Sequence, residues 1–248
     1  MTFQDQVIVV TGGNSGIGRA IVNRFHGHGA QVVVFGRNAE TLAETVNALG
    51  SRAQAINGDV TRLDDLKNLV AEVKQKHGRI NHLIVNAGIA QPLPIEAVDE
   101  AAFDATMNIN LKGAYFTIQQ ALPLMGKGST ITLVASGVVH RGFANFSVYT
   151  ASKAGLSSLA RSLSAELTPR GIRVNTINPG PIETPIFERM GLPQDQVSPI
   201  KDGFSEMVPL KRMGNVEEIA GLATFLAGPD ATYMVGTELN ADGGITNF

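Results

Sequence analysis

The chain contains no cysteine. Disulfides, thiolate catalysis and cysteine-ligated metal centres are therefore excluded. The histidines give no metal pattern either. His26 and His28 stand two apart and do not share a helical face, while His77, His82 and His140 are scattered. No metal is expected. Nowhere do about 18 apolar residues follow one another, so no membrane-crossing helix is expected. No Lys/Arg block stands out and the formal net charge is −2. The electrostatic footprint of a nucleic-acid or anionic-membrane partner is thus missing. The opening residues, Met1-Thr2-Phe3-Gln4-Asp5, are polar and lack the basic region and apolar stretch of a secretory signal. A cytoplasmic protein with neither nucleic-acid nor membrane partner is the expectation.

What is present suits one large α/β domain. Of 248 residues, 44% are hydrophobic and 17% charged, which supplies a sizeable core and argues against disorder. Short apolar runs at residues 7–10, 31–35, 52–57, 82–85, 130–134 and 173–177 read as strands, with a last short one near 237–240. They are β-branched and nearly unbroken in apolarity, as in a sheet covered on both faces. Helical periods fill residues 16–26, 39–49, 63–76, 99–124, 149–167 and 216–226. Strands alternating with helices imply parallel βαβ units with right-handed crossovers. No linker, repeat or low-complexity tract interrupts them, so a single domain over residues 1–248 is expected.

Residues 181–209 differ. Prolines stand at 181, 185, 193, 199 and 209, and no long helical or strand pattern is visible. Phe187, Met190, Leu192, Phe204 and Met207 make the stretch too apolar for a free linker. A substrate lid is expected there.

Two motifs carry chemistry. The first is the turn Thr11-Gly12-Gly13-Asn14-Ser15-Gly16-Ile17-Gly18, between a strand and a helix. Glycines let the backbone approach a pyrophosphate, and the helix N-terminus offers free N–H groups and partial positive charge. A tight strand–helix connection is the plain alternative. After the second strand comes Phe35-Gly36-Arg37-Asn38. An acidic side chain there would bind the ribose 2′-hydroxyl of NAD. Gly36 has none, and Arg37 offers a cation to a 2′-phosphate, so NADP(H) is favoured over a solvated loop charge. Asp59 could accept from the adenine amino group, with Thr61 expected to cap the next helix. Asn86-Ala87-Gly88 follows the fourth strand and would let another loop reach the cofactor.

The second motif is Ser147-Val148-Tyr149-Thr150-Ala151-Ser152-Lys153-Ala154-Gly155. Helical spacing puts Tyr149 and Lys153 on one face. An ammonium about 4 Å from a phenol contributes roughly 4 kcal/mol at an effective dielectric near 20. That would pull a phenol down by about three pH units before desolvation is subtracted. A surface pair is the bland alternative. Ser136, after the fifth strand, could donate to a substrate oxygen that gains charge, or be a loop serine or N-cap. Asn110 lies in a helical stretch where asparagine is a poor former, and would hold a water, distort the helix or bond its own backbone.

Taken in order, Thr11-Gly12, Gly16, Gly18, Asp59, Asn86-Ala87-Gly88, Asn110, Ser136, Tyr149, Lys153 and Asn178-Pro179-Gly180 with Thr184 resemble the short-chain dehydrogenase/reductase family over essentially the whole chain. The resemblance implies a doubly wound (Rossmann-type) parallel sheet of about seven strands with helices on both faces. It implies reversible reduction of a small ketone or aldehyde, with Tyr149 as acid/base, Lys153 lowering its pKa and holding the nicotinamide ribose, Ser136 polarising the carbonyl and Asn110 holding a water. Pro179, Gly180, Ile182 and Thr184 would border the nicotinamide. Gly12, Asn14, Ser15, Gly16, Ile17, Gly18, Arg37, Asn38, Asp59, Val60, Asn86, Ala87 and Gly88 would hold the rest of the nucleotide.

A homotetramer is implied as well. Leu156, Leu159, Leu163 and Leu167 form one helical stripe, and Ala151, Gly155, Ser158 and Ser162 another, either of which could also be intrachain core. The segment Val139-His140-Arg141-Gly142-Phe143-Ala144-Asn145-Phe146-Ser147 looks more like NADP-dependent carbonyl reductases and secondary alcohol dehydrogenases than ketoacyl-carrier-protein reductases. Acyl thioester reduction remains the rival within the class, and a catalytically silent NADP sensor the rival outside it.

Overall fold

A computed structural model describes residues 2–190 and 194–247. The apolar run from Val7 becomes strand β1 (Val7–Thr11), all five residues of which are buried. β2 (Gln31–Gly36), β3 (Ala53–Asn57), β4 (His82–Val85), β5 (Thr130–Val134), β6 (Arg173–Pro179) and β7 (Glu238–Ala241) join it in one parallel sheet. The order is β3-β2-β1-β4-β5-β6-β7. Successive side chains of β1 serve opposite faces, as strand geometry requires. Val7 and Val9 join one apolar cluster with Leu66, Ile118 and Leu156. Ile8 and Val10 join another with Ile21, Phe25 and Ile219. Each such side chain contributes about 1.5–3 kcal/mol on full burial.

Helices cover both faces. They are α1 (Gly16–Gly27), α2 (Ala39–Leu49), α3 (Leu63–His77), α4 (Glu100–Met107), α5 (Gly113–Ala121), α6 (Ser147–Leu167), α7 (Gln194–Met207) and α8 (Val216–Ala227). The leucine stripe of α6 is intrachain core: Leu156, Leu163 and Leu167 are buried in the first cluster, and Leu159 packs on it. The small-residue stripe is different. Ala151, Ser158 and Ser162 are exposed and Gly155 is half-buried.

Three local expectations are corrected. Residues 99–124 are not one regular helix, because a π turn (Asn108–Lys112) separates α4 from α5. The lid contains a helix, α7, despite Pro199 inside it. Val197, Ile200 and Phe204 share a face of α7 and pack with Phe187, Met190 and Met213, and this burial outweighs the lost proline hydrogen bond. Leu192 and Pro193, two of the lid residues singled out in the sequence, lie outside the described residues. Finally, Arg62 rather than Thr61 is the N-cap of α3. The Thr61 hydroxyl is taken up locally, donating to Asp59 Oδ1 at 2.9 Å.

Candidate active site

The sheet delivers its functional residues at the carboxyl ends of the strands, where doubly wound folds bind ligands. β1 ends at Thr11, and Gly12 turns with φ +64°. A Cβ on Gly12 would stand 3.1 Å from both Ala87 Cα and Asn86 Nδ2. The Thr11 hydroxyl oxygen accepts from Asn86 N at 3.0 Å and Ala87 N at 3.1 Å. Asn86 Nδ2 in turn donates to Thr11 O at 3.0 Å and Gly12 O at 3.2 Å. The residues after β4 are thus braced against the glycine turn. Ser15 is the extended N-cap of α1, and the first turn of that helix has no acidic residue. Its N-terminal N–H groups suit an anion.

At the end of β2, a Cβ on Gly36 would lie 2.5 Å from Asn14 Oδ1. Asn14 is fixed there by a 2.6 Å bond from Nδ2 to Thr41 Oγ1. Its side chain fills the space where an acidic residue 36 would project. Arg37 follows, exposed, with its guanidinium 3.6 Å from Asp59 Oδ2. Asn38 lines the cavity, but its side-chain oxygen caps α2 by accepting from Thr41 N at 2.9 Å.

Tyr149 and Lys153 stand on the first two turns of α6. Ser136 follows β5 and caps a short 3-10 turn (Gly137–Val139), accepting from Val138 N at 3.4 Å. Lys153 is 4% exposed and donates from Nζ to Val134 O at 2.8 Å. Burial lowers its pKa to about 8. The ammonium sits 5.8 Å from the Tyr149 ring centroid. Burial pushes the phenol above its ordinary value, opposed by a hydrogen bond with Ser136. This reverses the expected net direction. Desolvation dominates, and the nearby lysine is itself desolvated and turned to a backbone carbonyl.

Asn110 is fully buried in the π turn. Its Oδ1 accepts from Ile89 N at 2.9 Å, while Nδ2 donates to Ile89 O at 2.9 Å and Ser152 Oγ at 3.0 Å. Ser152 Oγ donates to Tyr149 O at 2.7 Å. Asn110 therefore pins the loop after β4 to the first two turns of α6, rather than bonding its own helix. Ser152 was not singled out in the sequence. Nothing short of its pairing with Asn110 marks it out from the other small residues of the segment.

One cavity of about 800 Å³ gathers these groups. It holds every residue expected to touch nucleotide or substrate except Gly18 and Asn110, which stand behind the wall. Gly18 packs against Gly12 O, where a Cβ could not fit. Phe143, Phe146, Phe204, Arg189 and Ile245 also line the cavity. Of these five only Phe204 was singled out in the sequence, as a residue of the expected lid. Among the described residues no group of three His, Asp or Glu could hold a metal ion. No helix among them is long and apolar enough to cross a membrane.

The glycine cradle, the free helix N-terminus and the cation beyond β2 fit a dinucleotide, and the Tyr–Lys–Ser group stands at the other end of the same cavity. Fold and site together define an oxidoreductase that uses a nicotinamide nucleotide. The chain belongs to the short-chain dehydrogenase/reductase family. A family described as enoyl-(acyl carrier protein) reductase matches residues 12–246. Oxidoreductase asL5 of Sarocladium schorii is 40% identical over 242 residues, 97% of this chain and 95% of the relative. The 3-ketoacyl-(acyl-carrier-protein) reductase of Brucella melitensis, solved with NADH, superimposes with a TM-score of 0.91 at 28% identity, covering 99% of this chain and 100% of its own. A variant of the actinorhodin polyketide ketoreductase, solved with NADPH, gives 0.91 at 29% identity over the full length of both chains.

Proposed function

We propose that the protein reversibly reduces a ketone or aldehyde to the alcohol with NADPH. The observation that carries this reading is the convergence of Tyr149, Lys153 and Ser136 on the cavity that the glycine turn opens. When bound, the nucleotide supplies a hydride to the carbonyl carbon. Tyr149 gives its proton to the carbonyl oxygen, so the C=O π bond is replaced by C–H and O–H. Ser136 holds that oxygen as negative charge builds on it. Lys153, charged at neutral pH, stabilises the phenolate that forms and offers its remaining donors to the nicotinamide ribose. Asn110 is a positioning residue: it holds α6 against the β4 loop, so that Tyr149 keeps its aim. Pro179, Gly180, Ile182 and Thr184 line the same cavity and would border the nicotinamide.

Selection of NADPH falls to Arg37. Its pair with Asp59 is exposed, and such pairs contribute only about 0–1 kcal/mol. A charge-assisted bond to a 2′-phosphate contributes about 1.5–3 kcal/mol, enough to draw the guanidinium away. Asp59 is then free to meet the adenine amino group.

Phe143, Phe146, Phe187, Met190 and Phe204 make the substrate end apolar, which supports a fairly apolar carbonyl compound. The similar ketoacyl-carrier-protein reductase supports acyl thioesters as the second reading. A panel of ketones, aldehydes and acyl thioesters assayed with NADPH separates the two. The exposed small-residue stripe of α6, with half-exposed Tyr115 near it, supports the homotetramer, a mass that sedimentation equilibrium reads directly.

Tyr149→Phe tests the mechanism. It should lower turnover about a thousandfold, within the 10²–10⁴ range of general acid catalysis, and leave NADPH affinity unchanged. Surviving turnover would remove Tyr149 from the acid's role.

A further inference from the structure

We propose that Arg189, on the lid, is a ligand for the pyrophosphate of the bound dinucleotide, so that the nucleotide joins the lid to the N-terminus of α1. The inference rests on the reductase reading and adds a binding residue to it.

Arg189 ends a short 3-10 turn (Phe187–Arg189). Its Nη1 donates to Ser15 Oγ at 3.2 Å, bridging 174 positions of sequence. Ser15 is the N-cap of α1, and its side chain makes no capping bond. The hydroxyl is therefore turned toward the lid rather than toward its own helix. The root of the lid is also close. A Cβ on Gly16 would lie 3.3 Å from Thr184 Cβ.

The neighbours of Arg189 are committed elsewhere. Phe187 is buried with Val197 and Met213, which fixes the turn. Glu188 is bonded by Lys201 Nζ at 2.8 Å. Among the described residues, no carboxylate forms an ion pair with Arg189. An exposed guanidinium thus stands beside the N–H groups of α1 with a neutral hydroxyl as its partner. Both lie on the wall of the nucleotide cavity. A guanidinium is a planar fork matched to phosphate oxygens, and its bond to a charged acceptor is roughly twice as strong as one to a hydroxyl. A pyrophosphate at the α1 N-terminus is the acceptor this geometry lacks. Holding it would also brace Met190 and the α7 face bearing Phe204 at the substrate end, because both pack with Phe187 and line the cavity.

The test is calorimetric titration of the full chain with two nucleotides. 2′-Phospho-ADP-ribose carries the pyrophosphate; adenosine 2′-phosphate lacks it. Arg189→Ala should weaken the first about tenfold and leave the second within twofold. Arg189→Lys, which keeps the charge but not the fork, should fall between. Unchanged affinity for 2′-phospho-ADP-ribose, or an equal loss for both nucleotides, overturns the inference and leaves the reductase reading standing. If the unaltered protein binds neither nucleotide, the NADPH reading fails and the inference goes with it.

Discussion

The two ends of the parallel sheet bury ionisable side chains to the same depth and treat them in opposite ways. At the amino end, His82 opens β4 and is 3% exposed. Its Nε2 donates to Gln6 Oε1 at 2.5 Å and its Nδ1 accepts from Thr130 Oγ1 at 2.7 Å. Phe3 meets the ring edge-on and Phe25 stacks on it. Desolvation, with some repulsion from Arg173, lowers its pKa to about 3. The ring is neutral, and both nitrogens have partners. At the carboxyl end, Lys153 is 4% exposed but keeps its charge at neutral pH, with a pKa of about 8. Val134 O takes one of its donors, and the others face the nucleotide cavity. Depth of burial therefore does not separate structure from function here. What separates them is whether the buried group's bonding capacity is filled by the protein or left toward a cavity.

The sharpest way to break this contrast is at Lys153. Lys153→Ala should cut turnover by about a hundredfold or more, through loss of charge next to the phenol. In the unaltered protein the reduction rate should decline as pH rises through about 8, where the ammonium loses its proton. Stability should move the other way. The folded-state pKa lies below the unfolded value of 10.5, so between about pH 8 and 10 the unfolded chain binds more protons and the fold gains stability as pH rises. Rate profiles and urea midpoints over that window check both signs. A rate that holds level above pH 9 would remove Lys153 from the proton path.

At the amino end the window is acidic. The folded His82 resists protonation down to about pH 3, whereas the unfolded value is 6.5. The stability contributed by the neutral ring should be complete above pH 6.5 and drain away as pH falls toward 3, by several kcal/mol. Turnover per folded molecule should be unaffected. His82→Gln should flatten the acid slope at the cost of about 1–3 kcal/mol at neutral pH, from the lost ring packing. Denaturant titrations at pH 7 and 4.5 read both. An unchanged slope would place the acid sensitivity elsewhere.

The smallest expected effect lies at the rim of the cavity. Arg37→Ala should raise the KM for NADPH about tenfold and leave that for NADH nearly unchanged. An unchanged ratio of the two rejects the phosphate contact.

The sheet was legible in sequence because buried parallel strands are near-continuous β-branched runs, and Val7, Val33, Leu83 and Ile131 each fall in one. The residues that gather at the cavity were legible because each sits at the end of such a run or one helical turn from another. What escaped depends on partners far away in the chain. Ser152 acquires its meaning from Asn110, 42 positions earlier. Arg189 acquires its own from Ser15. The direction of the Tyr149 pKa depends on desolvation, which no local spacing records. Helix α7 was hidden by Pro199, which masks the apolar period of Val197, Ile200 and Phe204.

The π turn at Asn108–Lys112 adds a phase shift to the helix it interrupts. A π turn amounts to one inserted residue, and one residue rotates the helix by about 100°. Ile109 opens onto the cavity, Asn110 clasps the β4 loop, and Leu111 packs where a Cβ on Gly155 would stand 3.0 Å from it. Three consecutive residues thereby address three different neighbours. Shortening the stretch by one residue would restore an ordinary helix and swing the asparagine out of its clasp, disconnecting the β4 loop from α6 without altering any residue that lines the cavity beside Tyr149.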